Sequence, residues 1–484
     1  MPISSLRILA FINGIFLVTL AVSMLVPVIT LLIFEQPQDI NAFLWSSLIT
    51  AIAGIAMIAQ GRPKQTQLRP RDMYMLTVSS WVMVSIFAAL PFVFAERASI
   101  TDAYFESMSG ITATGATVFS GLDDMSPGTL IWRSLLHWLG GIGFIAMAVA
   151  ILPILRIGGM RLFQTESSDR SEKIMPRSHM VAKYMVLAYV GLSTLAVLGF
   201  WLAGMGLFDS INHAMSAIAT GGFSTSDSSL GKWQAPAIHW VAIVVMVLGS
   251  LPFVLYVGAL RGNYRALLRD AQVHGFLLLL VGSWFILASW KWLTTDLYWL
   301  DALRLVAVNI TSIMTTTGFA VGDYHMWGPF ASMMFFYLGF VGGCSGSTAG
   351  GLKIFRFQVA YILLKANLKQ LIHPRAVIKQ QYNRHRLDED IVRSILAFAF
   401  FYTITIATLA LAVAMCGVDW ITALTGAAAM VSGVGPGMGE MVGPAGNYAT
   451  IPDLAKWLLS FGMLLGRLEI LTVLVLLFPA FWRH

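Results

Sequence analysis

Ser107-Met-Ser-Gly-Ile-Thr-Ala-Thr-Gly-Ala-Thr117 is a short, small, hydroxyl-rich stretch between two long apolar runs. Its core, Thr112-Ala113-Thr114-Gly115, has no charge and no metal-binding side chain, so it offers backbone carbonyls and Thr hydroxyls. Similar cores recur at Ala219-Thr220-Gly221-Gly222-Phe223, Thr315-Thr316-Thr317-Gly318-Phe319 and, most loosely, Ser432-Gly433-Val434-Gly435-Pro436. With Gly115, Gly221, Gly318 and Gly435 taken as equivalent, the steps are 106, 97 and 117 residues. Near-constant spacing with apolar flanks signals internal repeats. Non-helical backbone at membrane depth is tolerated only where it lines water or protein. Four such loops therefore predict one shared pore.

The chain has 484 residues, 57% of them hydrophobic and 11% charged, with mean hydropathy +0.75. That composition belongs to a polytopic membrane protein. Cys344 and Cys416 both lie in apolar surroundings, without metal-ligand spacing, and no disulfide is expected. The net charge of +7 reads as basic cytoplasmic loops rather than nucleic-acid binding. The first apolar run is long enough to span and lacks a small-residue cleavage site, so no cleavable signal is expected.

A spanning helix needs about 20 apolar residues. The runs Ile8–Phe34, Ala42–Ala59, Met73–Phe94, Leu130–Leu155, Tyr184–Ala203, Ile238–Leu260, Gly275–Trp292, Phe330–Leu364, Ile391–Met415 and Leu454–Phe478 predict ten transmembrane helices. The fold expected is an all-α integral membrane protein. An N-terminal pair (1–72) precedes four span–pore-loop–span repeats (73–180, 181–272, 273–390 and 391–484) in pseudo-fourfold arrangement. Each repeat carries a short helix beginning near Asp102, Asp209, Asp301 or Asp419, where an acid suits the N-terminus. The negative C-terminal ends of those helices then point at the loops and favour a cation.

Lys and Arg set the orientation. Arg62, Lys64, Arg69 and Arg71 fall on one side, with Arg156, Arg161, Arg170, Lys173, Arg177 and Lys183, then Arg261, Arg265 and Arg269, and then the stretch from Lys353 to Arg393. The other side holds Glu35, Asp39, Asp123, Asp124, Asp227, Asp323, Glu440 and Asp453. Both termini are expected inside, and the loops open toward the acid-rich outer face, which raises local cation concentration.

A monovalent cation in a narrow pore sheds hydration water, and ringed carbonyls replace it. Glycine permits the angles that turn those carbonyls to one side. The competing reading is four re-entrant turns that only pack helices; recurrence at four matching positions argues for the pore. A second element is Gly342-Gly343-Cys344-Ser345-Gly346-Ser347-Thr348-Ala349-Gly350-Gly351, mid-way along a span. Each interior glycine costs a helix about 1 kcal/mol, so the helix should break there into a mobile gating loop. The alternative is close small-residue packing, which needs two glycines rather than five. Gly346 and Gly351 have phosphate-loop spacing, but Leu352 follows instead of Lys. A third element is Arg467 in the last apolar run, costing ~3 kcal/mol or more at membrane depth. It should reach another helix or the pore, since Glu469 is two positions away and cannot face it. Lys353, just below the gating loop, is a weaker candidate, with a simple membrane-boundary role as the alternative.

Several strings resemble the superfamily of K+ transporters that includes the bacterial Trk and Ktr subunits and the plant HKT transporters. They are Ser109–Thr117, Trp138-Leu-Gly-Gly-Ile-Gly143, Ala150-Ile-Leu-Pro-Ile154, Gly221-Gly-Phe-Ser-Thr225, Gly342–Lys353 and Gly466-Arg-Leu-Glu469. The chain is most similar to the Trk membrane subunit, nearly end to end. The resemblance implies potassium uptake across the bacterial inner membrane, with K+ held at Thr112, Ala113, Thr114 and Gly115, at Ala219, Thr220 and Gly221, at Thr316, Thr317 and Gly318, and at Gly433, Val434 and Gly435. It implies a gate formed by Gly342–Gly351 and Arg467. It also implies a homodimer in which each chain holds its own pore, and a cytosolic ring of NAD- and ATP-binding regulatory subunits of TrkA type docked on the basic loop His373–Asp390. No bound nucleotide is expected on this chain. In the superfamily a serine in the first repeat accompanies Na+ permeation, so Gly115 favours K+; Val434 removes a polar side chain from the fourth.

An Na+- or H+-coupled K+ symporter is the other transport reading. It wants an ionisable group near the loops, where the one candidate is Glu106. A membrane enzyme would need clustered catalytic side chains, whereas His137, His213 and His239 lie in different repeats without ligand spacing.

Overall fold

The computed structural model describes residues 3–60, 69–150, 175–376, 378–383, 385–387 and 389–483. The basic loops expected at 61–68 and 151–174, and most of the string Ala150–Ile154, lie outside the described residues.

An N-terminal hairpin comes first: α1 (Ile3–Ser23), α2 (Leu25–Ile33) and α3 (Ile40–Ala59). Gly14 and Gly54 face each other so closely that a Cβ on either would stand under 3 Å from the other's carbonyl oxygen. Small residues that let helix backbones meet are the usual membrane contact. The next unit has α4 (Pro70–Ala88), the short α5 (Ile100–Thr112) and α6 (Pro127–Ala150). It is followed by α7 (Met175–Leu202), α8 (Leu207–Ile218), α9 (Pro236–Ser250) and α10 (Phe253–Leu260). Then come α11 (Ala271–Thr294), α12 (Trp299–Met314), α13 (Pro329–Val341) and α14 (Ile354–Ile372). The last unit has α15 (Glu389–Met415), α16 (Trp420–Ser432), α17 (Asp453–Arg467) and α18 (Ile470–Leu477). One departure from all-α structure is the two-residue hairpin β1 (Gln381–Tyr382) and β2 (His385–Arg386), antiparallel, in the expected basic loop.

Among the described residues six helices are long and apolar enough to cross a membrane, or eight if each bent pair is one span. Three predicted spans are not straight. The Ile238–Leu260 run bends by 93° between α9 and α10, because Pro252 forces Leu251 into extended backbone. The Phe330–Leu364 run is interrupted from Gly342 to Lys353, where five glycines remove helix propensity. The Leu454–Phe478 run bends by 115° between α17 and α18. Glu469 there has φ +60° and holds Arg356 of α14 at 2.7 Å. The acids of the short helices also differ from expectation. Only Asp419 is an N-cap, accepting from the Thr422 N–H at 3.0 Å. Asp102, Asp209 and Asp301 sit at the third helical position, still in the first turn where the dipole favours them.

The apolar core divides around the polar loops. One cluster joins α1–α6 and α15–α18; the other joins α7–α13 with Ile145 of α6 and Ile354 of α14. A third, around Phe355, Tyr382 and Leu387, seats the hairpin on α14.

Candidate pore and gate

α5, α8, α12 and α16 end in the same turn. The residues Ala113, Thr220, Thr316 and Gly433 adopt left-handed backbone, with φ of +53°, +54°, +57° and +70°. The N–H one residue later reaches back over the helix end: Thr114 to the Ser109 carbonyl, Gly221 to Ser216, Thr317 to Ser312 and Val434 to Ala429, at 2.8–2.9 Å. This is the glycine-type helix stop that satisfies terminal carbonyls. Two residues past each left-handed position comes a second, at Gly115, Gly222, Gly318 and Gly435, with φ of +84° to +90°.

The register in the second turn therefore corrects the sequence reading. Gly222, not Gly221, matches Gly115, Gly318 and Gly435, and the steps become 107, 96 and 117 residues. Gly221 takes the place of Thr114, Thr317 and Val434, and its α-carbon lies against His137.

The four turns touch in a closed cycle. A Cβ on Gly115 would stand 1.9 Å from the Gly221 oxygen, and on Gly222 2.0 Å from that of Thr317. On Gly318 it would stand 2.2 Å from the Val434 oxygen, and on Gly435 2.6 Å from that of Thr114. One carbonyl of each turn thus sits beside the next turn's glycine, forming a ring of four backbone oxygens. Any side chain at those glycines would displace an oxygen. Side-chain oxygens follow a twofold pattern instead: Thr112 and Thr114 hydroxyls pair at 2.8 Å, Thr315 and Thr317 at 2.7 Å. The other two turns have Ala219 with Gly221 and Ser432 with Val434.

On one side of the ring lies a cavity of 280 Å³, lined by residues of all four limbs, among them Thr117, Ser224, Ala320 and Tyr448. Asp227 stands at its edge and accepts the Gly121 N–H at 2.7 Å. Nearby, Asp123 is desolvated, which pushes its carboxyl up. Hydrogen bonds from Lys232 (2.8 Å), Ser226 (2.9 Å) and the Asp227 N–H outweigh that and hold it below the ordinary carboxylate value.

On the other side the space shrinks to 20 Å³, about one water molecule. Filling it is the segment Gly342–Lys353. The Gly351 N–H donates to the Ser432 carbonyl at 2.8 Å and the Gly350 N–H to the Thr316 hydroxyl at 2.6 Å. The Thr348 hydroxyl reaches the Ile218 and Gly249 carbonyls, both at 2.9 Å. Gly343, Cys344, Ser345 and Gly346 brace the outer half: the Cys344 N–H donates to Ser250, the Ser345 N–H to the Gln272 side chain, and the Gly346 carbonyl accepts from Phe253. Ser347 closes a turn on the Cys344 carbonyl, and the Ala349 carbonyl accepts from Lys353. The loop is thus moored to three of the four helix ends above it.

Arg467, at the end of α17, is 8% exposed. Its guanidinium donates to the Thr348 carbonyl at 2.7 Å and the Gly140 carbonyl at 3.4 Å, and lies 4.3 Å from the Phe144 ring. It reaches across to another element, as the sequence suggests. Lys353 is more than a boundary marker: it is 6% exposed and lines the same small space.

Sequence reading missed two further groups. Arg133 of α6 is buried against Glu106 at 2.7 Å. It could have been found by the argument applied to Arg467, since it too is an arginine inside an apolar run. Tyr448 donates its hydroxyl to the Gly435 carbonyl at 2.9 Å and its N–H to the Thr117 carbonyl at 2.8 Å. No sequence signal marks it. Among the described residues no His, Cys, Asp or Glu cluster could hold a metal.

Long apolar helices packed around a ring of peptide oxygens are the arrangement of a multi-pass membrane transport protein. Residues 39–483 match the family model described as TrkH, cation transport protein. The chain is 49% identical to the Trk system potassium uptake protein TrkI of Halomonas elongata, over 96% of this chain and 94% of that one. It is 36% identical to the Trk system potassium uptake protein TrkH of the same organism, over 99% and 100%. The crystal structure of the potassium transporter TrkH from Vibrio parahaemolyticus superposes with a TM-score of 0.92 at 32% identity, covering 100% of both chains. The chain belongs to the TrkH family of cation transport proteins.

Proposed function

We propose that this protein takes up potassium across a bacterial inner membrane, through a central pore whose selectivity filter is the four-oxygen ring. The single observation that carries the reading is the closed cycle of matching turns from Thr114, Gly221, Thr317 and Val434. Peptide oxygens can replace hydration water around K+ without the grip of carboxylates. At an inside-negative potential, ~2.3 kcal/mol per charge per 100 mV drives entry.

In this reading the chain has ten spans, an N-terminal pair plus four pseudo-fourfold repeats, with both termini cytoplasmic. The large cavity faces outward, and the segment Gly342–Gly351 with Arg467 is the gate. The basic stretch around the β1–β2 hairpin docks a cytosolic nucleotide-binding partner, and two chains associate. Relatives named as potassium uptake proteins along nearly their whole length support the choice of ion. Coupled symport is the weaker reading, because the candidate proton carrier, Glu106, is committed to Arg133 at 2.7 Å.

The test is ion flux through the purified protein in liposomes. The parent should pass K+ well above Na+, set by the K+ gradient and voltage alone. Gly115→Ser should abolish that preference, because its Cβ would meet the Gly221 oxygen at 1.9 Å. Unchanged Na+ exclusion in the variant would overturn the filter assignment, and K+ flux that follows an imposed proton or Na+ gradient would restore the symporter.

A further inference from the structure

Behind the ring, each short helix braces its own outgoing limb at one matching level, with a different side chain each time. Glu106 accepts the Val118 N–H at 2.9 Å and the Thr117 hydroxyl at 2.9 and 3.0 Å. Asn309 accepts the Val321 N–H at 2.9 Å and donates to the Val321 carbonyl at 3.1 Å. Thr425 accepts the Met438 N–H at 2.9 Å. His213 Nε2 lies 2.9 Å from the Ser224 hydroxyl. Val118, Val321 and Met438 are each the third residue past a ring glycine.

The second limb also meets a carboxylate, Asp209, which accepts from the Thr225 hydroxyl at 2.6 Å; the first brace differs in being a fully buried ion pair. Glu106 and Arg133 are 0% and 1% exposed. Arg133 also donates to the Ser224 carbonyl at 3.0 Å and the Thr117 hydroxyl at 3.1 Å, and lies 4.1 Å over the Phe223 ring. One guanidinium thereby ties the first limb to the second. A buried ion pair adds little net stability, because desolvation offsets its attraction. What it does supply is a planar, forked geometry that holds its partners in place. A ring that discriminates between two alkali cations needs its oxygens held at a fixed spacing.

We propose that Glu106 and Arg133 are positioning residues that set the discrimination of K+ from Na+, by fixing the seam between the first and second turns. The inference rests on the ring being the K+ filter. The experiment uses the full chain, purified and reconstituted, and reads the K+/Na+ permeability ratio from reversal potentials beside total K+ flux. Glu106→Gln should lower the ratio about tenfold, the scale of a lost charge-assisted hydrogen bond. Arg133→Lys keeps the charge but not the fork, and should lower it about threefold. Thr117→Val removes one hydroxyl from the network and should also lower it about threefold. Asp102→Asn removes a different ion pair at the start of the same helix, with Lys456 at 2.6 Å. It should cost thermal stability and leave the ratio alone.

If Glu106→Gln does not fold, Thr117→Val decides. A selective parent whose Glu106 and Thr117 variants lose only yield or flux, at unchanged ratio, overturns this inference and leaves the filter reading standing. An equal fall in Asp102→Asn overturns it too. A parent that passes Na+ as readily as K+ overturns the filter reading itself.

Discussion

The two faces of the oxygen ring differ in chemistry as well as in size. On the wide side the limbs present hydroxyls and carbonyls to a 280 Å³ cavity, and the buried cation there, Arg133, is neutralised by Glu106. On the narrow side 20 Å³ remain, and Lys353 and Arg467 stand in it with a loop whose N–H groups point up at the helix ends. Glu469, the carboxylate at that level, is already shared with Arg356 at 2.7 Å. The same four turns therefore look attractive to a cation from one side and repellent from the other. In the proposed reading, control belongs to what lies beneath the ring and selection to what braces it.

That contrast is open to attack. Arg467→Ala should have the largest effect. A positive charge beside the proposed ion path opposes a cation, the more so where the local dielectric is low. Removing it should raise basal K+ flux, without any partner, by about tenfold or more in a liposome assay. An unchanged leak would move the barrier to the loop alone. Tyr448→Phe probes the wide side. It loses one hydrogen bond to the Gly435 carbonyl, about 1 kcal/mol, and should reduce the K+/Na+ ratio a few-fold with no rise in leak. A rise in leak there would erase the division between faces. The smallest effect belongs to the outermost pair. Asp123 and Lys232 are each 43% exposed, so Asp123→Asn should cost well under 1 kcal/mol in thermal unfolding. The Asp123 carboxyl is held below its ordinary value, so its contribution is present above the usual carboxylate range. It fades as pH falls through the folded value. Melting curves of parent and variant should differ at neutral pH and converge in acid.

Much of this was legible along the chain. The break at Gly342–Gly351 follows from local helix propensity, and the membrane setting from the length of apolar runs. The turns after Thr112, Ala219, Thr315 and Ser432 stand out as small, uncharged strings at steady spacing. The Gly222 register was not legible, because adjacent glycines are interchangeable to a sequence. The choice is made by which α-carbon must pass the Thr317 oxygen. The bend at Leu468–Glu469 has no proline to announce it, and Glu469 there pairs with Arg356, far away on α14.

By itself the sequence determined a multi-pass helical membrane protein with four like loops, one broken span and one costly arginine. Each of those is a property of neighbouring residues, set by propensity and hydropathy. Only the tertiary structure decided which glycines meet which carbonyls, that Arg133 answers Glu106, and that Lys353 lies under the ring. These are contacts between segments distant in the chain, and a buried charge or a close backbone approach takes its meaning from the partner opposite.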